Sequence, residues 1–171
     1  MLGLGHAVLT GEPLIGPEPF GMVLSDDLCL NSGGLGVLAQ MAQLFEEFGC
    51  SIVAVPEVPD EEIHKYGVIA GEELREGLYR VSHMVEKPSA AEAPSNLAII
   101  GRYILTPDIF DIIRGTAPGA SGEIQITDAL QQQASKGGVI AYKFEGKRFD
   151  CGSVAGFVEA TNHVYDNIYR P

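Results

Sequence analysis

The chain has few of the features that mark membrane-spanning, secreted or disulfide-rich proteins. None of its apolar runs approaches the length needed to cross a bilayer. Its N-terminus carries no basic region followed by an apolar stretch, so we expect no secretory signal. The three cysteines (Cys29, Cys50 and Cys151) are odd in number and widely spaced, which excludes a disulfide framework or a zinc motif. This cysteine usage predicts a protein of the reducing cytoplasm. The absence of a long apolar run predicts that it has no membrane partner.

Positive charge is also scarce. Eleven lysines and arginines face 23 acidic residues, and the net charge is −12. Such a field repels a polyphosphate backbone, so we expect no nucleic-acid partner. A nucleotide or sugar phosphate remains compatible with it, because one lysine or metal ion can reverse the sign locally. The 46% of hydrophobic residues over 171 positions is ordinary for a folded protein, and we interpret residues 1–171 as a single unit.

The order of apolar segments predicts an α/β protein with a mixed sheet. Phe20–Leu24 has the length of a buried strand and runs into Ser25-Asp26-Asp27. A stretch with helical spacing then stops at Gly49, and Ser51–Val55 is a second buried strand, which suggests one βαβ unit. Antiparallel pairing is expected for three later extended segments, Tyr66–Ala70, Leu78–Glu86 and Asn96–Leu105.

The C-terminal third predicts helices around one more strand. Thr106-Pro107-Asp108 is typical of a helix start, with the threonine as N-cap. A second helix is expected from Ile124 to about Ser135, and a strand at Val139–Phe144. From about Ser153, a last helix places these apolar residues on one stripe: Val154, Phe157, Val158, Thr161, Val164, Tyr165 and Ile168.

Eight different short motifs follow one another along the chain. They are Gly3-Leu4-Gly5-His6-Ala7-Val8, Leu24-Ser25-Asp26-Asp27, Tyr66-Gly67-Val68, Val85-Glu86-Lys87-Pro88, Ala93-Pro94-Ser95-Asn96-Leu97-Ala98, Gly101-Arg102-Tyr103, Gly122-Glu123-Ile124-Gln125-Ile126-Thr127-Asp128 and Phe149-Asp150-Cys151-Gly152. Together they resemble the bacterial UTP–glucose-1-phosphate uridylyltransferase family over essentially the whole chain. The thymidylyltransferases are a looser match that the sequence does not exclude.

The resemblance implies a fold and a reaction. The fold would be part of a Rossmann-like nucleotide-diphospho-sugar transferase, a mixed sheet with flanking helices. The reaction would convert UTP and glucose 1-phosphate to UDP-glucose and pyrophosphate, by in-line attack of a sugar phosphate oxygen on the α-phosphorus. In such chemistry the protein mainly positions the reactants and neutralises charge.

The same resemblance assigns a Mg²⁺ site to two carboxylates. Asp26 is similar to the family's magnesium-binding aspartate, and Asp150 occupies the place of a second metal carboxylate. Mg²⁺ takes oxygen ligands and keeps several waters, so one or two carboxylates are enough. Without the family, Asp26-Asp27 reads as a solvated turn and Asp150 as an N-cap of the last helix, and both alternatives stay open.

The resemblance also implies which residues bind the sugar, its phosphate and the base. Lys87 resembles the catalytic lysine that contacts the sugar phosphate, and Glu86 and Gly67 resemble positions that hold the sugar hydroxyls. Asn96 is a further candidate for the sugar, and Gly3 resembles the glycine that lets the backbone approach the base. Read alone, Glu86-Lys87-Pro88 is an exposed strand end and Gly3-Leu4-Gly5 a flexible loop.

The sequence departs from the family in one respect. It contains no glycine-rich loop bearing an arginine and a lysine ahead of Gly3, so we expect the first strands of the fold to be missing. Because one donor at a leaving group is worth about 3 kcal/mol, we expect the chain alone to be inactive. We also expect Phe20–Leu24 to be an open edge that drives homo-oligomerisation. The alternative function is a non-catalytic sugar-phosphate-binding or assembly module.

Overall fold

The computed structural model describes residues 2–119 and 122–170. Its strands are β1 (Phe20–Val23), β2 (Asp27–Leu30), β3 (Ser51–Val55), β4 (Gly67–Arg75), β5 (Leu78–Glu86), β6 (Arg102–Leu105), β7 (Val139–Lys143) and β8 (Lys147–Asp150). Its α-helices are α1 (Leu4–Thr10), α2 (Glu12–Ile15), α3 (Val37–Phe48), α4 (Ile109–Gly115), α5 (Ile126–Ala134) and α6 (Val154–Val164). A 3₁₀ turn covers Asp60–Lys65, and a π-helical turn, Tyr165–Tyr169, extends α6.

Six of the strands form one mixed sheet, which confirms the predicted fold class. Their order is β1-β6-β3-β7-β5-β4, and β2 pairs with β8 in a separate antiparallel ribbon. In the large sheet β3 and β7 are parallel, whereas the other neighbouring pairs are antiparallel. The hairpin of β4 and β5 confirms the antiparallel pairing expected for the middle of the chain.

The two strands of the predicted βαβ unit run parallel, but they are not neighbours in the sheet. β1 and β3 both run antiparallel to β6, so they point the same way, with α3 between them in the chain. Tyr103 of β6 pairs with Met22 on one side and with Val53 on the other. A strand about fifty residues further along the chain is therefore inserted into the unit, which local apolar patterns cannot show.

Helices cover both faces of the central strands. α1, α4 and α5 contribute to one apolar cluster, and α3 contributes Val37, Met41 and Leu44 to the other. Every residue of β3 is buried, because a strand covered on both faces has no solvent side. α3 ends at Gly49 as predicted, in a left-handed conformation with φ 60°.

The start of α4 differs from the prediction. Its N-cap is Asp108, without a side-chain cap, and the helix begins at Ile109. The Thr106 hydroxyl instead lies 3.1 Å from the Ser51 hydroxyl and accepts a 2.9 Å hydrogen bond from the Gln133 amide. The threonine thus joins a polar cluster inside the fold, because β3 and α5 bring partners that the local sequence does not reveal.

β1 and β4 are the edges of the large sheet. The outer half of β4 carries Glu72, Glu73 and Arg75, charges that discourage further strand pairing. β1 carries no charge, and within the described residues it pairs with β6 alone, leaving Val23 half exposed. None of the described helices is both long and apolar enough to span a membrane.

Candidate functional site

A cavity of about 260 Å³ opens where the two sheets approach α5. Four of the residues predicted from the sequence line it, although they are spread over more than 120 positions: Asp26, Gly67, Glu86 and Asp150. Polar side chains that the sequence did not single out complete its wall: Lys65, Tyr66, Gln125, Thr127 and Arg148. The fold therefore gathers most of the predicted site in one place.

Glu86 is held at the end of β5 by a side chain from α5. The Thr127 hydroxyl donates a 2.6 Å hydrogen bond to Glu86 Oε2. Gly67 lies opposite Glu86 in the β4–β5 ladder. A Cβ added to Gly67 would lie 3.0 Å from Thr127 Oγ1 and 3.1 Å from Glu86 Oε2. The glycine therefore leaves room for this hydrogen bond, and the second Glu86 oxygen accepts no hydrogen bond from the described residues, with Lys87 Nζ 3.9 Å away.

The two adjacent aspartates have different roles. Asp27 is buried, its Oδ2 accepts a 2.8 Å hydrogen bond from the Gly101 amide, and Arg148 Nε donates to its Oδ1. Both of its oxygens are thus used inside the protein. Asp26 is exposed and lines the cavity, with no hydrogen bond to its carboxylate from any described residue. The metal-ligand role of Asp26 stays a prediction, and of the two aspartates it is the one whose carboxylate is free of hydrogen bonds from the described residues.

The carboxylates of Asp26 and Asp150 lie close together. β2 and β8 pair so that Asp27 is opposite Asp150, and the Cys151 amide donates a 2.7 Å hydrogen bond to the Asp26 carbonyl. A Cβ added to Gly152 would lie 3.1 Å from both Asp26 Oδ2 and Asp150 Oδ1, so these two oxygens are at most about 6 Å apart. Because Mg²⁺ binds oxygens at about 2.1 Å, both oxygens could bind one ion directly only if they lie within about 4 Å of each other; at a wider spacing one of them would bind through a water.

The N-cap alternative for Asp150 is wrong. The N-cap of α6 is Ser153, whose Oγ accepts a 3.1 Å hydrogen bond from the Gly156 amide. Asp150 Oδ1 accepts from the Gly152 amide at 3.1 Å, and its side chain remains about half exposed towards the cavity. Within the described residues no group of three or more His, Cys, Asp or Glu side chains forms a complete metal site.

Arg148 joins the two halves of the cavity wall. Besides its ion pair with Asp27, it donates a 3.0 Å hydrogen bond to the Tyr66 hydroxyl and stacks over the Tyr66 ring. Burial lowers the pKa of the guanidinium, but the hydrogen bonds to Asp27 and Tyr66 raise it, and the net pKa lies above the ordinary value. The buried Tyr103 hydroxyl nearby has a raised pKa, first because of burial and then because of the Glu86 and Asp27 charges.

Lys87 lies just outside this wall. It is the one non-glycine among the described residues with a left-handed backbone, at φ 47°. Its amide donates a 3.0 Å hydrogen bond to the Tyr66 carbonyl, and its exposed Nζ lies 3.9 Å from Glu86 Oε1. Such a backbone costs about 1 kcal/mol or more, and strained residues of this kind cluster at functional sites. The lysine could meet a ligand at the rim rather than inside the cavity.

Gly3 and Asn96 are not brought into the cavity wall. A Cβ on Gly3 would lie 2.6 Å from the Ile124 carbonyl oxygen, so this glycine, at φ 92°, permits close packing against the segment before α5. Asn96 is exposed, and its carbonyl accepts a 3.0 Å hydrogen bond from the Val58 amide. Their proposed contacts with the base and the sugar stay predictions.

Sequence reasoning missed Thr127, Tyr66 and Arg148 as site residues. The sequence suggested no chemical role for the Gly122–Asp128 motif, yet its Thr127 hydroxyl donates a hydrogen bond to Glu86. Tyr66 stands next to Gly67, and Arg148 stands two positions before Asp150. Proximity to predicted ligands was therefore the available signal, but their partners lie 41, 82 and 121 positions away.

The comparisons with known proteins identify the family and agree with the fold. The chain belongs to the nucleotidyl transferase family, whose model matches residues 1–167. It is 67% identical over 170 residues to a UTP–glucose-1-phosphate uridylyltransferase of Pseudomonas aeruginosa, covering 99% of this chain and 61% of that protein. A protein of the same name from Staphylococcus epidermidis is 46% identical over 159 residues, covering 93% and 54%.

Solved structures show the same likeness. A UDP-glucose pyrophosphorylase complexed with UDP-glucose superposes with a TM-score of 0.94 at 60% identity, over 97% of this chain and 63% of that one. A UDP-glucose pyrophosphorylase from Acinetobacter baumannii gives 0.83 at 31% identity, over 98% and 58%. The chain thus spans about three fifths of the length of the relatives that it matches.

Proposed function

We propose that this chain forms the sugar-phosphate and metal side of the active site of a UTP–glucose-1-phosphate uridylyltransferase. The observation that carries the proposal is the convergence of Asp26, Gly67, Glu86 and Asp150 on one cavity. The 67% identity to a protein of that name supports uridylyl transfer to glucose 1-phosphate as the reaction. Specificity for uracil over thymine is also only proposed, because none of the described contacts involves a nucleotide base.

In this proposal the protein residues bind and orient. Glu86, fixed by Thr127, accepts hydrogen bonds from sugar hydroxyls, and Gly67 keeps the space beside it. The Lys87 ammonium at the rim meets the sugar phosphate as a point charge. Holding the sugar at one end and the phosphate at the other orients the attacking oxygen, which is the main contribution expected of a protein in phosphoryl transfer.

Mg²⁺ is the proposed cofactor, held by Asp26 and Asp150. The two carboxylates fit it because they are oxygen ligands near each other, and the Asp26 carboxylate accepts no hydrogen bond from the described residues, whereas neighbouring Asp27 is already paired. When bound, the ion neutralises charge on the nucleotide phosphates. We expect Asp26→Asn and Asp150→Asn each to abolish the magnesium dependence of UDP-glucose affinity, measured by titration calorimetry. Unchanged magnesium dependence in both variants would contradict the assignment.

These 171 residues alone are proposed to be inactive, or nearly so, in pyrophosphate release. The assay combines the purified chain with UTP, glucose 1-phosphate and Mg²⁺, and Asp26→Ala is the matched control. The expected rate equals that of the control. Turnover that Asp26→Ala abolishes would show instead that the chain completes a site by itself, for example between two copies.

The alternative function is a sugar-phosphate-binding or assembly module without turnover. UDP-glucose binding without turnover would fit both the half-site and the module. A chain that binds neither UDP-glucose nor glucose 1-phosphate would refute both. The cellular location proposed is the cytoplasm, in keeping with the three unpaired cysteines.

Self-association into a homo-oligomer is proposed as well. β1 offers an uncharged edge, and edges of that kind pair readily with another chain. The strand is only four residues long, however, and Val23 is its most exposed large apolar side chain.

A further inference from the structure

The groups of the proposed site lie on two separate parts of the fold. Asp26 comes directly before β2 and Asp150 ends β8, so the proposed metal ligands belong to the two-stranded ribbon. Glu86 ends β5 of the large sheet, and Lys87 follows it. A ligand that contacts both parts binds best when their separation is fixed beforehand, because it then does not have to order them. The contacts that join the ribbon to this end of the large sheet therefore matter for affinity.

Arg148 of β8 makes such a contact. Its Nε donates to Asp27 Oδ1 of β2, and its Nη2 lies 3.9 Å from Asp150 Oδ2. Its Nη1 donates a 3.0 Å hydrogen bond to the Tyr66 hydroxyl, outside the ribbon. The three nitrogens thus face three different residues, and the side chain is only 14% exposed. Because a guanidinium is planar and its N–H groups point in fixed directions, these contacts together define one placement of the ribbon against Tyr66.

Tyr66 connects this placement to Lys87. Its ring packs against a small apolar cluster that includes Val68, which fixes the position of its hydroxyl. Its carbonyl accepts a 3.0 Å hydrogen bond from the amide of Lys87, the residue whose backbone is left-handed. Within the part of the chain that the structure describes, the hydrogen bond from Arg148 to Tyr66 is the only one that joins the ribbon to the segment before β4. The ribbon and Lys87 are therefore connected through Arg148 and Tyr66.

We propose that Arg148 is a positioning residue that, through Tyr66, couples magnesium binding on the ribbon to phosphate binding at Lys87. The inference rests on the proposed function. The Arg148–Tyr66 contact places Lys87 at a fixed distance from the two ribbon carboxylates, so that both parts can bind one ligand. By linkage the coupling is reciprocal, so Mg²⁺ and the nucleotide sugar should each tighten the binding of the other. Arg148 itself contacts neither, because its nitrogens face protein groups.

Tyr66→Phe tests the coupling with little risk to the fold, because it removes one hydroxyl and leaves the Arg148–Asp27 ion pair in place. Titration calorimetry measures the UDP-glucose affinity of the purified chain in Mg²⁺ and in EDTA, and the ratio of the two affinities is the coupling. Tyr66→Phe should lower this ratio by up to about tenfold, the contribution of one hydrogen bond to a charged group, and change the affinity in EDTA by less than about twofold. The matched control is Tyr142→Phe, which loses a 3.0 Å hydrogen bond to Gln40 away from the cavity and should keep the wild-type ratio.

Arg148→Lys separates the position of the side chain from its charge. Lysine keeps the positive charge but lacks the planar fork, so the ratio should fall as in Tyr66→Phe. The double variant should fall no further, since the effects of two residues that act through one contact do not add. A wild-type ratio in either single variant, or additive losses in the double variant, would overturn the inference and leave the proposed function intact. A wild type whose UDP-glucose affinity does not depend on magnesium would overturn the metal assignment of the proposed function, and the inference with it.

Discussion

Replacing Asp27 by asparagine tests the division of roles between the two adjacent aspartates. The change keeps the shape of the side chain but removes the charge that pairs with Arg148, whose side chain is 14% exposed. It also presents an amide donor where the carboxylate accepted hydrogen bonds from the Gly101 amide and from the guanidinium. The largely buried Arg148 would lose its nearest carboxylate, and would keep only the Tyr66 hydroxyl and the more distant Asp150 Oδ2, 3.9 Å from its Nη2.

Removing one partner of a buried ion pair costs about 3–5 kcal/mol. We expect the lower end, about 3 kcal/mol, because the asparagine oxygen can still accept one hydrogen bond. For a chain of this length each kcal/mol corresponds to roughly 2–4 °C in Tm, so a fall of about 6–12 °C is expected. Thermal unfolding followed by circular dichroism at neutral pH measures it.

Asp26→Asn is the matched control, because its side chain is exposed and has no hydrogen bond from the described residues. Its stability should stay within about 0.5 kcal/mol of the wild type. The double variant Asp27→Asn with Arg148→Gln should lose less than the sum of the single variants, since the cation is removed together with its partner. Equal melting temperatures for Asp27→Asn and Asp26→Asn would refute the reasoning.

Three further predictions concern the same cavity. Gly67→Ala should weaken UDP-glucose binding in calorimetry, because a methyl group there presses on the Glu86–Thr127 hydrogen bond; unchanged affinity would show that the space is not needed. Lys87→Gly should stabilise the fold by about 1 kcal/mol in chemical denaturation while weakening phosphate binding, since glycine tolerates φ 47°; a loss of stability would contradict the strain. Burial raises the pKa of Tyr103, so the stability it contributes is complete below about pH 10 and is lost above it; Tyr103→Phe should flatten that alkaline decline, and an unchanged decline would exclude Tyr103 as its source.

Much of the secondary structure followed from the sequence, because it depends on neighbours in the chain. Ser51–Val55 and Leu78–Glu86 are strands with the predicted bounds, and Gly49 ends α3. Apolar runs and a glycine stop are local signals, read within one turn or a few residues. The positions of the motifs likewise predicted Glu86 and Asp150 as site residues without any knowledge of their contacts.

The contacts between segments that are distant in the chain were decided only by the tertiary structure. Asp26 and Asp27 are indistinguishable by local pattern, and they differ because Gly101 and Arg148 arrive from 74 and 121 positions away to occupy Asp27. The place of β6 between β1 and β3 has the same origin, since strand pairing over long separations leaves no periodic trace. The stripe on α6 shows the limit most clearly: periodicity predicts that one face is apolar, but only the packing of the whole chain decides whether that face is covered.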